Sequence, residues 1–245
     1  MIDLSPYKLV IFDKDGTLID FDAMWGGWVE ALALRLEAAT GQPMAAALFA
    51  AIDYDAVARR TIAGGRLAVM PMAGLLALTR QVLAAQGVPG SQADVALAAA
   101  WHIPDPVTTA RPLADLPRLF TALHGRGLKI AIATSDDRAP TLATLASLGV
   151  AALVDVVIAA DDGVPLKPAP DMVLAACRAT GAVPRQAIVV GDDLPELEMA
   201  RAAGAGLAVG VTSGVSTSAV FPPYADVVLA NVGQLISTAD SVLGL

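Results

Sequence analysis

Leu9-Val10-Ile11-Phe12-Asp13-Lys14-Asp15-Gly16-Thr17 is the stretch whose reading decides the fold. Its apolar part is too short for a helix and holds β-branched and aromatic residues, so it predicts a buried strand ending at Asp13. Residues i and i+2 of an extended segment point the same way, which lets Asp13 and Asp15 face one ligand. Gly16 frees the backbone to turn sharply, and Thr17 adds a short hydroxyl. Two like charges held this close cost free energy unless a cation, a proton or a reaction uses them. The stretch reads as a strand end that carries an active site.

Further apolar runs of the same kind predict strands at Lys129–Ala133, Val154–Ala159, Ala187–Val190, Leu207–Val211 and Asp226–Leu229. Helical patterns lie between them at Leu113–Arg126, Pro140–Leu148, Asp171–Thr180 and Pro195–Ala203. This alternation predicts an α/β core, a Rossmann-like doubly wound parallel sheet. In such sheets ligands bind outside the carboxyl ends of the strands, where Asp13, Thr134, Asp161 and Asp192 fall. From about Asp22 to Trp101 no strand is predicted, only Ala- and Leu-rich helices broken at Gly41-Gln-Pro43, Gly64-Gly65 and Gly87-Val-Pro-Gly90. An inserted all-α cap domain is expected at 21–106, within a core of 1–20 and 107–245. The exit Ile103-Pro-Asp-Pro106 should be stiff and extended, because proline restricts the residue before it.

Composition narrows the function classes. Hydrophobic residues make up 56% of the 245 and charged ones only 16%, so a membrane protein has to be considered. The longest apolar stretch, Leu67–Thr79, is interrupted by Pro71 and falls short of the roughly 18 residues a span needs. The N-terminus has no basic region followed by an apolar one, so no secretory signal is expected. The net charge of −8 and the lack of a basic block argue against nucleic acid and anionic membrane surfaces. The single cysteine, Cys177, sits at a core-facing helix position and fits a reducing, cytoplasmic location. His102 and His124 stand apart without Cys or His neighbours, so zinc is not expected.

Four separated sites share one chemical character: Asp13 with Asp15, Thr134-Ser135-Asp136, Lys167 before Pro168, and Gly191-Asp192-Asp193. Together they offer carboxylates, hydroxyls and one ammonium at one rim of the sheet. Hard oxygen donors of this kind suit Mg2+, which takes few carboxylates and keeps several waters. A carboxylate can also attack phosphorus, and phosphoryl transfer mostly needs positioning and charge neutralisation.

In order and spacing these sites resemble the four motifs of the haloacid dehalogenase superfamily of phosphohydrolases. The resemblance runs from about residue 7 to the C-terminus and includes a helical cap after the first strand. Within the superfamily the chain looks most like phosphoglycolate-phosphatase-type enzymes, on Gly210-Val-Thr-Ser-Gly214 and Ala200-Arg-Ala-Ala-Gly204. The resemblance implies that Asp13 is the nucleophile and a metal ligand. Asp15 would carry protons, with its backbone carbonyl on the metal. Thr134 and Ser135 would hold phosphoryl oxygens, Lys167 would counter negative charge, and Asp192 would complete the metal site. One departure stands out: the position four beyond Asp192, usually aspartate, is Glu196. Asp193 or Glu196 is then expected to serve the metal's outer shell.

Each residue also has a plainer role available. Asp136 and Asp161 could be turn or helix-cap residues, Thr134 could cap a helix, and Lys167 could be a solvated loop lysine. In the cap, Trp25 and Trp28 share a helix face and suit packing, while Trp25 could also stack on substrate. Arg66 after Gly64-Gly65 could grip a substrate carboxylate, and Arg59 and Arg60 are further candidates. The expected function is a Mg2+-dependent phosphatase, monomeric or homodimeric, acting on a small phosphorylated metabolite such as phosphoglycolate through an aspartyl phosphate on Asp13. A phosphosugar mutase using the same intermediate is the nearest alternative, and a non-catalytic metabolite-binding protein a further one. A dehalogenase is disfavoured, since carbon–halogen cleavage needs no leaving-group acid of the kind Asp15 supplies.

Overall fold

The structure, a computed structural model, describes residues 2–102, 104–214, 216 and 219–236. Ile103 of the proline-rich exit, and Val215, Thr217, Ser218 and residues 237–245, lie outside the described residues. The chain divides into two compact units, Met1–Asp20 with Ala110–Leu245, and Phe21–Thr109.

In chain order the elements are β1 (Leu9–Phe12), α1 (Gly27–Thr40), α2 (Ala45–Ile52), β2 (Tyr54–Asp55) and β3 (Arg60–Thr61). They continue with α3 (Arg66–Val69), α4 (Met72–Ala85), α5 (Gly90–Ala100), α6 (Pro106–Thr109), α7 (Leu116–His124) and β4 (Lys129–Ala133). Next come α8 (Arg138–Ser147), β5 (Val156–Ile158), α9 (Asp171–Thr180) and β6 (Ala187–Gly191). The last are α10 (Leu194–Ala203), β7 (Leu207–Val211) and β8 (Val227–Leu229).

The first unit is an α/β, Rossmann-like core built on one parallel sheet ordered β5-β4-β1-β6-β7-β8. Its central strand β1 alternates strictly. Leu9 and Ile11 join Met172, Val173 and Leu197 in the core under α9 and α10. Phe12 points the other way and stacks on Phe120 of α7, ring centroids 5.4 Å apart. Both faces of the strand are therefore buried, which is why its sequence is a continuous apolar run. Register then aligns the strand ends: Phe12 lies beside Ile132 on one side and Val190 on the other. The next residues along the three strands are Asp13, Ala133 and Gly191, and Thr134 and Asp192 follow where β4 and β6 end. Cys177, the only cysteine, is buried in the same core.

In the second unit α1 packs on α5 and α2 on α4. The expectation of no strand between Asp22 and Trp101 needs a correction, because Tyr54–Asp55 pairs with Arg60–Thr61 as a small antiparallel hairpin. Strands of two residues leave no alternation to detect, and this pair is held by side chains. Asp22 Oδ1 accepts from both the N–H and the hydroxyl of Thr61 at 2.8 Å. The apolar stretch Leu67–Thr79 is divided between α3 and α4 at Pro71. Among the described residues no helix is long and apolar enough to cross a membrane.

Candidate active site

Past the end of β1 the chain doubles back within a few residues. The N–H groups of Leu18 and Ile19 both donate to the Lys14 carbonyl, and Gly16 N–H donates to Ile19 O at 2.7 Å. Gly16 takes φ +80, a left-handed conformation that favours glycine. A Cβ there, or on Gly214, would overlap the Asp192 carboxylate. Asp192 is thus cradled between the Gly16 turn and the loop after β7, and accepts the Thr17 hydroxyl at 2.9 Å. Ser213 closes the cradle by donating to Gly16 O at 3.0 Å.

Asp13 is 8% exposed and meets the Lys167 ammonium, 2.5 Å from its Oδ1. Lys167 comes from the loop before α9 and also reaches Glu196 Oε1 at 2.8 Å. Burial alone would pull the Lys167 pKa down, but Asp13 and Glu196 outweigh it and hold the ammonium above its ordinary value. Glu196 is pushed up by burial against the attraction of Lys167, with Asp13 adding repulsion. Gly191 makes this contact possible, since a Cβ on it would overlap Glu196.

Asp15 meets a different cation. Its Oδ2 lies 2.6 Å from Lys14 Nζ, and the same ammonium is 3.0 Å from Asp136 Oδ2. Lys14 is only 1% exposed. Asp15 Oδ1 is buried with no hydrogen-bond partner among the described residues. Burial drives the Asp15 pKa up to about 6, with Lys14 opposing and the Asp136 and Asp13 charges adding to the rise. Sequence reasoning overlooked Lys14. The available signal was a lysine flanked by two aspartates directly after an apolar strand run, in a chain poor in charge.

The remaining predicted residues divide clearly. Thr134 is 1% exposed and its hydroxyl accepts the Asp136 N–H at 3.1 Å, while Ser135 is exposed. Asp161 is used as a cap, accepting the N–H of Arg138 at the start of α8. Asp193 is the N-cap of α10, accepting from Leu194 N–H at 2.8 Å and from the Ser216 hydroxyl at 2.5 Å. Glu196 returns the bond by accepting Asp193 N–H at 3.2 Å, a reciprocal capping arrangement. The two candidates for the metal's outer shell are therefore engaged with a helix start and with Lys167.

In the helical unit, Arg66 forks onto Asp53, Nε to Oδ2 at 2.8 Å and Nη2 to Oδ1 at 2.9 Å. Arg59 does the same to Glu30. Trp25 packs against Phe21 and Trp28, and Trp28 against Trp101. An open pocket of about 280 Å³ in this unit is lined by Trp28, His102 and Asp105 among others, and by neither Trp25 nor Arg66.

Oxygen donors dominate the core site. Among the described residues no three His, Cys, Asp or Glu side chains converge as a ready cage for a metal. Asp13 and the cradled Asp192 follow the paired ends of β1 and β6, and both offer carboxylate oxygens. That fits a small hard cation better than a transition metal.

A family model for haloacid dehalogenase-like hydrolases matches residues 7–204. A phosphoglycolate phosphatase of Rhodospirillum rubrum is 30% identical over 197 residues, covering 80% of this chain and 76% of that protein. An N-acetylmuramic acid 6-phosphate phosphatase of Pseudomonas aeruginosa is 27% identical over 241 residues, covering 96% of each. A crystal structure of a haloacid dehalogenase superfamily hydrolase of Geobacter sulfurreducens superposes with a TM-score of 0.64 at 20% identity, covering 98% of this chain and 97% of that one. The last likeness speaks for the fold.

Proposed function

We propose that this chain, which belongs to the haloacid dehalogenase-like hydrolase family, is a phosphatase that hydrolyses the phosphate monoester of a small metabolite through an aspartyl phosphate on Asp13. The observation that carries the reading is the Asp13 carboxylate at the end of β1, held by the buried Lys167 and standing two residues from a second, pKa-raised carboxylate.

Asp13 would attack phosphorus as the ester P–O bond breaks. Asp15, protonated, would give its proton to the departing oxygen and then take one from the water that opens the intermediate. Thr134 and Ser135 would bind phosphoryl oxygens at the neighbouring strand end, and Lys167 would offset their charge together with that of Asp13. A divalent cation, Mg2+ by the donor set, would be held by Asp13, Asp192 and the Asp15 carbonyl and would supply further neutralisation of phosphoryl charge. Arg66 and Trp25 would contribute to substrate choice only if a substrate displaced their present partners. Phosphoglycolate, named for several relatives, is the first ester to assay. A cytoplasmic setting and a monomer or homodimer complete the proposal.

Release of inorganic phosphate from p-nitrophenyl phosphate and phosphoglycolate with Mg2+ tests the reading. Turnover is expected in the wild type and should vanish in Asp13→Asn. Activity persisting in Asp13→Asn, with deamidation excluded by mass spectrometry, would overturn the covalent step. Product analysis with a hexose phosphate separates the phosphatase, which releases phosphate, from a mutase, which returns an isomeric ester.

A further inference from the structure

The geometry points to Lys14 as a positioning residue, and we infer that it holds Asp15 so that Oδ1 is the oxygen that exchanges protons with the ester. The inference deepens the phosphatase reading and rests on it.

A lysine that is 1% exposed has surrendered its hydration, and a methionine would fill similar space without that loss. What the ammonium adds is direction. It binds Oδ2 of Asp15 at 2.6 Å and Oδ2 of Asp136 at 3.0 Å. With Oδ2 held, the Asp15 carboxylate cannot exchange its two oxygens by rotation without breaking a buried ion pair. Oδ1 is left enclosed and without a hydrogen-bond partner among the described residues. A buried carboxylate oxygen with no partner is costly unless it has another use. The second carboxylate on Lys14, Asp136, is in the segment that also carries Thr134, and its N–H donates to the Thr134 hydroxyl. Lys14 therefore ties the proton carrier to the loop assigned to the phosphoryl oxygens.

In the step that follows, an Asp13 oxygen bonds phosphorus while the bond from phosphorus to the ester oxygen breaks. The electron pair stays on the ester oxygen, which takes the proton from Asp15 Oδ1 and leaves as the alcohol. Water then bonds phosphorus, its proton passes to Oδ1, and the bond from phosphorus to Asp13 breaks.

An alkyl ester needs that proton, because an alkoxide is a poor leaving group; a nitrophenolate departs without it. The test is the ratio of kcat/KM for the alkyl phosphate that the wild type cleaves fastest to kcat/KM for p-nitrophenyl phosphate. In Lys14→Met this ratio is expected to fall at least about tenfold, since a positioned general acid contributes roughly 100-fold or more. Lys14→Gln, which keeps a shorter donor, is expected to fall between, and it serves if Lys14→Met does not fold. A ratio within about twofold of wild type in the folded variant would overturn the assignment, because a loss of loop structure slows both esters alike. A wild type that cleaves neither ester overturns the phosphatase reading itself.

Discussion

Lys167 Nζ lies 2.5 Å from Asp13 Oδ1, joining residues 154 positions apart in the chain. The lysine side chain is 4% exposed, and the same ammonium holds Glu196. Replacing Lys167 by Met would leave two buried carboxylates facing each other. The expected results are a stability loss on the order of 3 kcal/mol by urea denaturation and a kcat at least about 100-fold lower. If stability drops while kcat is kept, Lys167 takes no part in the reaction.

The Asp192 cradle leaves no room for a side chain on Gly214. Gly214→Ala should displace the Asp192 carboxylate, which the Thr17 hydroxyl otherwise fixes. We expect the Mg2+ concentration for half-maximal activity to rise about tenfold or more, in keeping with losses at supporting positions of metal sites. Calorimetric titration with Mg2+ alone should show the same weakening, and unchanged binding would count against Asp192 as a ligand.

Asp193 caps α10 and accepts the Ser216 hydroxyl. Asp193→Ala should therefore act on stability, with a loss of about 1 to 2 kcal/mol and a melting temperature lower by roughly 2 to 8 °C. Should the Mg2+ requirement move as far as in Gly214→Ala, the side chain would belong to the metal's surroundings and not to the helix start alone.

Arg66 depresses the Asp53 pKa to about 2, chiefly through its side-chain hydrogen bonds and its backbone N–H. A carboxyl group lowered on folding stabilises the fold above its unfolded value of 3.8, and that stabilisation is lost as pH falls toward 2. Arg66→Met should thus unfold at lower urea than wild type at pH 7, with the gap closing between pH 4 and pH 2. Because Arg66 is exposed and Asp53 only half-buried, the gap should also shrink in 0.5 M salt, a concentration chosen to screen them. A gap independent of pH would mean that Arg66 acts by packing.

Much of the fold was legible because buried parallel strands leave uninterrupted apolar runs. Lys129–Ala133 and Leu207–Val211 occur with the bounds read from sequence, as does the helix Asp171–Thr180. Strands with partly exposed ends, such as Val156–Ile158, came out shorter than the run suggested. The hairpin Tyr54–Asp55 with Arg60–Thr61 was invisible, since its pairing depends on Asp22, some forty residues away in sequence. At the site, residue types and their order pointed to Asp13, Asp15, Lys167 and Asp192, but partners could not be assigned. Asp161, Asp193 and Arg66 each had a ligand role open to them in sequence, and each is engaged with a backbone N–H or a neighbouring charge.

The sequence by itself determined where chemistry could occur, because the uninterrupted apolar run of β1 and the turn at Gly16 place Asp13 and Asp15 at a strand end. Only the tertiary structure decided which charge meets which. A lysine reaches several ångströms, and its choice among carboxylates follows from strand register and loop course, which no local pattern encodes. Hence Lys167 is paired with Asp13 and Glu196, and Lys14 with Asp15 and Asp136. The two aspartates of one short motif are thereby given different cations and different surroundings.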